Sequence, residues 1–310
     1  MEKRQLGNTD LQITRIGFGA WAIGGGDWAY GWGPGDDEAA IGAIRHALEI
    51  GMNWIDTAAV YGLGHSEELI ARALKGLSNK PYIFTKCGLV WDDSRRTRQN
   101  LKANSIRKEC EASLRRLKVD AIDLYQIHWP VDEDIEEAWE MMAQLKDEGK
   151  VHYIGLSNFN TGQIRRCQSI APVSSLQPPY SLISRDYEAE TLPYCLDQAI
   201  GTIVYSPMGS GLLTGTMTRE RIASLPEDDW RRKSPEFNEP ALSKHLDLVE
   251  NLIKIGKTRL CSAGEIAIAW TLQNPAVTAA IVGGRTAWQV DGIRKAWEIR
   301  LTDEEMRRLV

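Results

Sequence analysis

A (β/α)8 TIM barrel is the α/β fold class this sequence predicts, and three observations predict it. Apolar, strand-like runs recur along the chain. Polar residues stand at their carboxyl ends. Most steps between those ends match the length of one β-α unit. The ends are Asp56 (NWIDTA), Lys86 (YIFTK), His128 (AIDLYQIH), Ser157 and Asn158 (VHYIGLSN), Gln177 (SSLQ), Tyr205 and Ser206 (GTIVYSP), and Gly283, Gly284 and Arg285 (AAIVGGR). From Asp56 to Tyr205 the steps are 30, 42, 29, 20 and 28 residues. A strand, a loop and a helix consume about that length. In a closed barrel the carboxyl ends of the strands share one mouth, and the chemistry sits there. The alternation runs without a composition break, so residues 1–310 are expected to form a single barrel domain.

The elements follow in order. Residues 5–13 (QLGNTDLQI) read as a hairpin suited to plug the barrel floor. ITRIGFGA (13–20) is strand one, followed by a glycine- and aromatic-rich loop at 24–35. Asp36 or Asp37 caps a helix to about Ile50. NWIDTA is strand two, and Ser66-Glu67-Glu68 opens its helix. PYIFTKCG is strand three; Ile106, Cys110, Leu114 and Leu117 form the apolar stripe of the helix after it. AIDLYQIH is strand four, with Ile135, Trp139, Met142 and Leu145 marking the next helix. VHYIGLSN is strand five, and Thr161 is placed to cap its helix. SSLQPPY and GTIVYSP are strands six and seven. Residues 208–240, rich in Gly, Ser, Pro and charge, are too long for an ordinary connection and suit a lid. Helices at 241–256 and 262–274 precede strand eight (TAAIVGG). Its helix spans 286–298, and Thr302 caps a last short one.

A net charge of −5 argues against a nucleic-acid partner. No apolar run reaches membrane-spanning length. Five cysteines, an odd count with neither C-x-x-C nor metal-type clustering, point to a reducing, cytoplasmic setting and to no bound metal. Nothing in the sequence fixes an oligomeric state. Gly17-Phe18-Gly19 follows a strand, but Ala22 stands where the third glycine of a dinucleotide fingerprint belongs, which disfavours a Rossmann site.

Asp56, Tyr61, Lys86 and His128 make chemical sense together. A phenol titrates near ~10, too high for easy proton traffic at neutral pH. A neighbouring ammonium favours the phenolate. A carboxylate keeps the ammonium charged and fixed, and a histidine can hydrogen-bond a carbonyl oxygen. Each residue alone is as readily structural; four in order at strand ends point to an acid for a carbonyl becoming an alcohol. A second group suits a nicotinamide dinucleotide. Ser157, Asn158 and Gln177 can bond a carboxamide, and Tyr205 can stack on the ring. Ser206, Pro207, Gly209, Gly211 and Leu212 supply a loop suited to a pyrophosphate. Gly283, Gly284 and Arg285 lead into a helix start, where Arg285 could pair with the 2′-phosphate of NADPH rather than with NADH. Trp21, Trp32, Trp91 and Trp129 could line an aromatic substrate cleft.

With these residues in hand, the chain strongly resembles the aldo-keto reductase family. GMNWIDTAAVYG (51–62), IHW, GLSNF, YSPMGSGLLTG and GGRTAWQVD match that family's landmarks in its order. The branch containing potassium-channel β subunits and many bacterial reductases looks nearest. The resemblance implies an NADPH-dependent, reversible reduction of aldehydes or ketones, with Tyr61 as general acid in a tetrad with Asp56, Lys86 and His128. Many members carry Glu-Asn where this chain has Gly292 and Ile293, which leaves Gln289 and Asp291 as adenine contacts. Two other readings compete: a redox-sensing regulatory subunit with slow turnover, and a Schiff-base aldolase using Lys86.

Overall fold

A computed structural model gives the fold, describing residues 1–26, 28, 30–227 and 229–309. The chain opens with β1 (Lys3–Gln5) and β2 (Gln12–Thr14), an antiparallel hairpin in which Lys3 faces Thr14. Its Leu6, Leu11 and Ile13 pack against Trp54, Phe84, Leu124, Ile203 and Ile281. The hairpin therefore closes the barrel floor with apolar side chains, as expected.

Strand one proves shorter than its apolar run. Residues 12–14 belong to the hairpin, and only β3 (Ile16–Gly19) enters the barrel. The break falls at Arg15, whose buried guanidinium donates to the carbonyls of Val277, Thr278 and Leu272. A long cation turned into the floor cannot also continue an alternating strand.

Around the barrel follow α1 (Asp37–Glu49), β4 (Trp54–Asp56), α2 (His65–Leu74), β5 (Tyr82–Cys87), α3 (Ala103–Leu117), β8 (Ile122–Ile127), α4 (Ile135–Asp147), β9 (Val151–Ser157), α5 (Thr161–Gln168), β10 (Ser175–Gln177), α6 (Thr191–Asp197), β11 (Gly201–Val204), α8 (Ala241–Arg259), α9 (Ala263–Gln273) and β12 (Ala279–Gly283). A two-stranded sheet, β6 (Leu89–Trp91) with β7 (Thr97–Gln99), interrupts the loop after β5. Within the long segment after β11 lies α7 (Arg219–Ala223); α10 (Ala287–Asp291) and α11 (Asp303–Arg308) follow β12. The eight barrel strands close in the order β10-β11-β12-β3-β4-β5-β8-β9, all parallel.

Alternation along the strands sorts the interior into levels. Trp54, Phe84 and Leu124 fill the lower level. Two residues on, the same faces carry Asp56, Lys86 and Gln126. Gly17 on β3 makes room for this packing: a Cβ there would lie 2.1 Å from the Trp54 ring.

Several caps differ from expectation. Asp36 caps α1, accepting from the amides of Glu38 and Ala39. Ser66, Glu67 and Glu68 lie in the first turn of α2 as expected; the Ser66 hydroxyl bonds Thr57 and the carbonyl of Ala20 and does not cap the helix. Asn160, in a capping box with Gln163, caps α5, and Thr161 turns inward to Thr191. The helix after strand eight is only α10, five residues long. Thr302 caps α11 as expected. The long segment after β11 is folded. Leu212, Met217, Ile222, Phe237 and Leu242 give it a small core of its own.

Candidate active site

Lys86 sits at the centre of the mouth. Its side chain is fully buried, and Nζ donates to Asp56 Oδ1 at 2.6 Å and to the Thr57 carbonyl at 2.8 Å. The same Nζ lies 5.2 Å from the centroid of the Tyr61 ring. Tyr61 comes from the short turn after β4, and its ring meets His128 edge-on at 5.7 Å. All four expected residues are thus brought together. Backbone contact holds the turn in place: a Cβ on Gly62 would meet the Gly24 carbonyl oxygen at 1.9 Å, and one on Gly24 would meet Gly62 N at 2.8 Å. Gly62 has φ of +63°.

The electrostatics correct one expectation. The Tyr61 phenol is not made acidic. Burial pushes it well above its ordinary range, with Asp56 and Tyr205 adding to the effect. Lys86 does not offset this burial, because it is already paired with Asp56. At the phenol, a neutralised pair acts as a dipole and not as a bare charge. Burial also lowers Lys86, opposed by Asp56 and by Glu67. His128 is held well below the usual imidazole range by burial and then by Lys86, so it is neutral at pH 7. The mouth therefore presents a protonated phenol and an uncharged imidazole side by side.

The second group converges from three strand ends. Ser157 Oγ donates to the Gln177 carbonyl at 2.9 Å, and Asn158 Nδ2 donates to Ser157 Oγ at 3.0 Å and to the His128 carbonyl at 2.9 Å. The Tyr205 hydroxyl donates to Asn158 Oδ1 at 2.9 Å, which fixes its ring beside the polar cluster. Gln177 Nε2 points to Asp56 Oδ2 at 2.8 Å. After β11, Ser206, Gly209, Ser210 and Gly211 all have positive φ. Such left-handed curls build the concave backbone sites that take anions. Arg285 is half-buried and donates to the carbonyls of Trp32 and Pro34 in the loop after β3. Gln289 accepts from the Arg285 amide at 2.7 Å, and Asp291 bonds His46 at 2.8 Å. Both adenine candidates thus carry bonds within the protein.

The rings that gather beside Tyr61 differ from those expected to line a cleft. Trp21 is their hub: its ring stacks 6.3 Å from Tyr61 and 5.6 Å from Trp230, and meets Trp32 edge-on at 5.3 Å. Trp28 flanks Tyr61 at 6.3 Å. Trp230, from the lid, was not foreseen; no periodicity in 208–240 marks it. Trp91 and Trp129 stand apart. Trp91 packs under Arg116, and Trp129 is 42 % exposed, without a ring partner among the described residues. The indole nitrogens of Trp28, Trp32 and Trp230 are buried with no acceptor among the described residues. Gln126 was also missed, although alternation in AIDLYQIH places it on the inward face with His128.

The sequence pattern of the aldo/keto reductase family matches residues 15–310. An aldo-keto reductase, YhdN, of Bacillus subtilis is 38% identical over 98% of this chain and 92% of its own length. A protein of Escherichia coli named NADH-specific methylglyoxal reductase is 35% identical over 98% of this chain and 96% of its own. The solved glycerol dehydrogenase AKR11B4 of Gluconobacter oxydans superposes with a TM-score of 0.90 at 37% identity, covering 99% of this chain and 94% of that one. No helix among the described residues is long and apolar enough to cross a membrane. The chain belongs to the aldo/keto reductase family and is a nicotinamide-dependent oxidoreductase of carbonyl and CH–OH groups.

Proposed function

We propose that the protein reduces aldehydes and ketones reversibly with NADPH, and that Tyr61 gives the proton. One observation supports this most: a protonated phenol and a neutral imidazole meet directly above a buried Lys86–Asp56 pair. Tyr61 donates its hydroxyl proton to the carbonyl oxygen as negative charge builds there. Lys86 then stabilises the phenolate through the one N–H not committed to Asp56 or Thr57. His128 orients the oxygen by a hydrogen bond and carries no charge of its own. Bound NADPH supplies the hydride to the carbonyl carbon. Ser157, Asn158 and Gln177 would hold its carboxamide, Tyr205 would offer a face to the ring, and the curl from Ser206 through Pro207, Gly209, Gly211 and Leu212 would take the pyrophosphate. Gly283 and Gly284 would leave room beside it, and Gln289 and Asp291 would meet the adenine by giving up their present bonds to Arg285 and His46. Lys86 does not suit a Schiff base, because two acceptors hold its N–H groups and no lone pair is presented.

Trp21, Trp32 and Trp230 offer faces for the substrate, and the unbonded indole nitrogens favour carbonyl compounds that carry further oxygens. The test is consumption of NADPH, followed by its absorbance, against a panel containing propanal, glyceraldehyde and benzaldehyde. Failure with every member would defeat the reading.

Coenzyme choice rests on Arg285, whose guanidinium can leave the carbonyls of Trp32 and Pro34 for a 2′-phosphate. Arg285→Ala is expected to weaken NADPH by about tenfold or more and NADH by less than about twofold. Binding followed by tryptophan fluorescence measures both. Equal weakening, or a wild-type preference for NADH like that in the name of the Escherichia coli relative, would overturn the NADPH assignment.

A further inference from the structure

The carboxylate of Asp56 is almost fully buried, so both its oxygens need donors. Lys86 serves Oδ1. Oδ2 has two neutral amides: Gln177 Nε2 at 2.8 Å and Gln126 Nε2 at 3.5 Å. Both side chains must present nitrogen there, because a carboxylate oxygen only accepts. Gln177 spends its second hydrogen on Gln126 Oε1 at 3.3 Å. The two glutamines and Asp56 therefore close a ring of hydrogen bonds in the barrel interior.

Gln126 is built into this place. It is fully buried on β8, in register with Lys86 on β5. Across from it Gly155 has no side chain; a Cβ there would crowd Ser175 Oγ at 2.2 Å and Gln126 Cγ at 3.3 Å. The missing side chain at Gly155 leaves space for the glutamine.

We infer that Gln126 is a positioning residue for proton transfer: it holds the Asp56 carboxylate so that Lys86 stays aimed beneath Tyr61. The inference rests on the reductase reading above. In that reading Gln177 also serves the coenzyme's carboxamide. When its amide turns to that task, Gln126 is the remaining donor to Oδ2 among the described residues. Gln126 thus links an occupied coenzyme site to a correctly held ion pair.

Two variants test this in the full-length enzyme. Gln126→Met keeps the volume and removes both the NH2 and the carbonyl oxygen of the amide. It is expected to lower kcat about tenfold, the effect of losing one hydrogen bond to a charged group, while NADPH affinity and the carbonyl KM change by less than about twofold. Gln126→Glu keeps the shape but sets a second carboxylate against Asp56. Its deficit is expected to be deepest at pH 8 and to shrink as pH falls, because the introduced carboxyl, once protonated, can again donate a hydrogen. A wild-type kcat in Gln126→Met overturns the inference. So does a Gln126→Glu deficit that is the same at every pH, the result expected from packing alone; this second readout stands even if the methionine variant fails to fold. Absence of carbonyl reduction by the wild-type enzyme would instead defeat the reductase reading and this inference with it.

Discussion

Tyr61→Phe is expected to lower kcat by about a hundred- to ten-thousand-fold while leaving NADPH affinity within about twofold. The range is the usual contribution of a positioned general acid. The substitution removes one oxygen and keeps the ring, so the contacts with Trp21 and His128 survive. The remaining groups cannot replace it. His128 is neutral and buried, and Lys86 has its nearest bonds on Asp56 and Thr57. Steady-state kinetics with a fluorescence titration of the coenzyme separate the two effects. Loss of binding together with turnover would mean that Tyr61 shapes the coenzyme site and does not serve as the acid.

Lys86→Met is expected to act twice. It should lower kcat about as far as Tyr61→Phe, because the phenolate that forms during turnover would face an uncompensated carboxylate. It should also lower stability by about 3–5 kcal/mol, the loss typical when one partner of a buried ion pair is removed. Lys86 is 0% and Asp56 3% exposed at the side chain, so water cannot rescue the charge left behind. Urea unfolding at neutral pH measures the second effect. A large loss of stability with nearly intact kcat would mark the pair as structural only.

The barrel was legible because its signal is periodic. Strand runs ending in Asp56, Lys86 and His128 place those residues on inward faces once the β-α spacing is seen. The exceptions have local causes. The β6–β7 hairpin has three-residue, half-exposed strands around a charged turn, which leave no alternation to read. Thr161 and Asn160 are both good capping residues, and only the side chain of Gln163 decides between them. The aromatic cleft was half legible. Trp21 and Trp32 lie next to strand one in sequence, whereas Trp230 arrives from a lid whose composition predicts no position. The electrostatics were the least legible part. The upward shift of Tyr61 comes first from burial and then from Asp56 and Tyr205, and spacing carries no information about how deeply a ring will be covered or about a 2.6 Å Lys86–Asp56 contact.

The seam between Gly24 and Gly62 limits how this enzyme can be altered. Tyr30, 55% exposed, lies outside that contact, so retailoring for bulkier guests is open there. At the seam two main chains touch, and any added methyl group would lever the tyrosine off its perch.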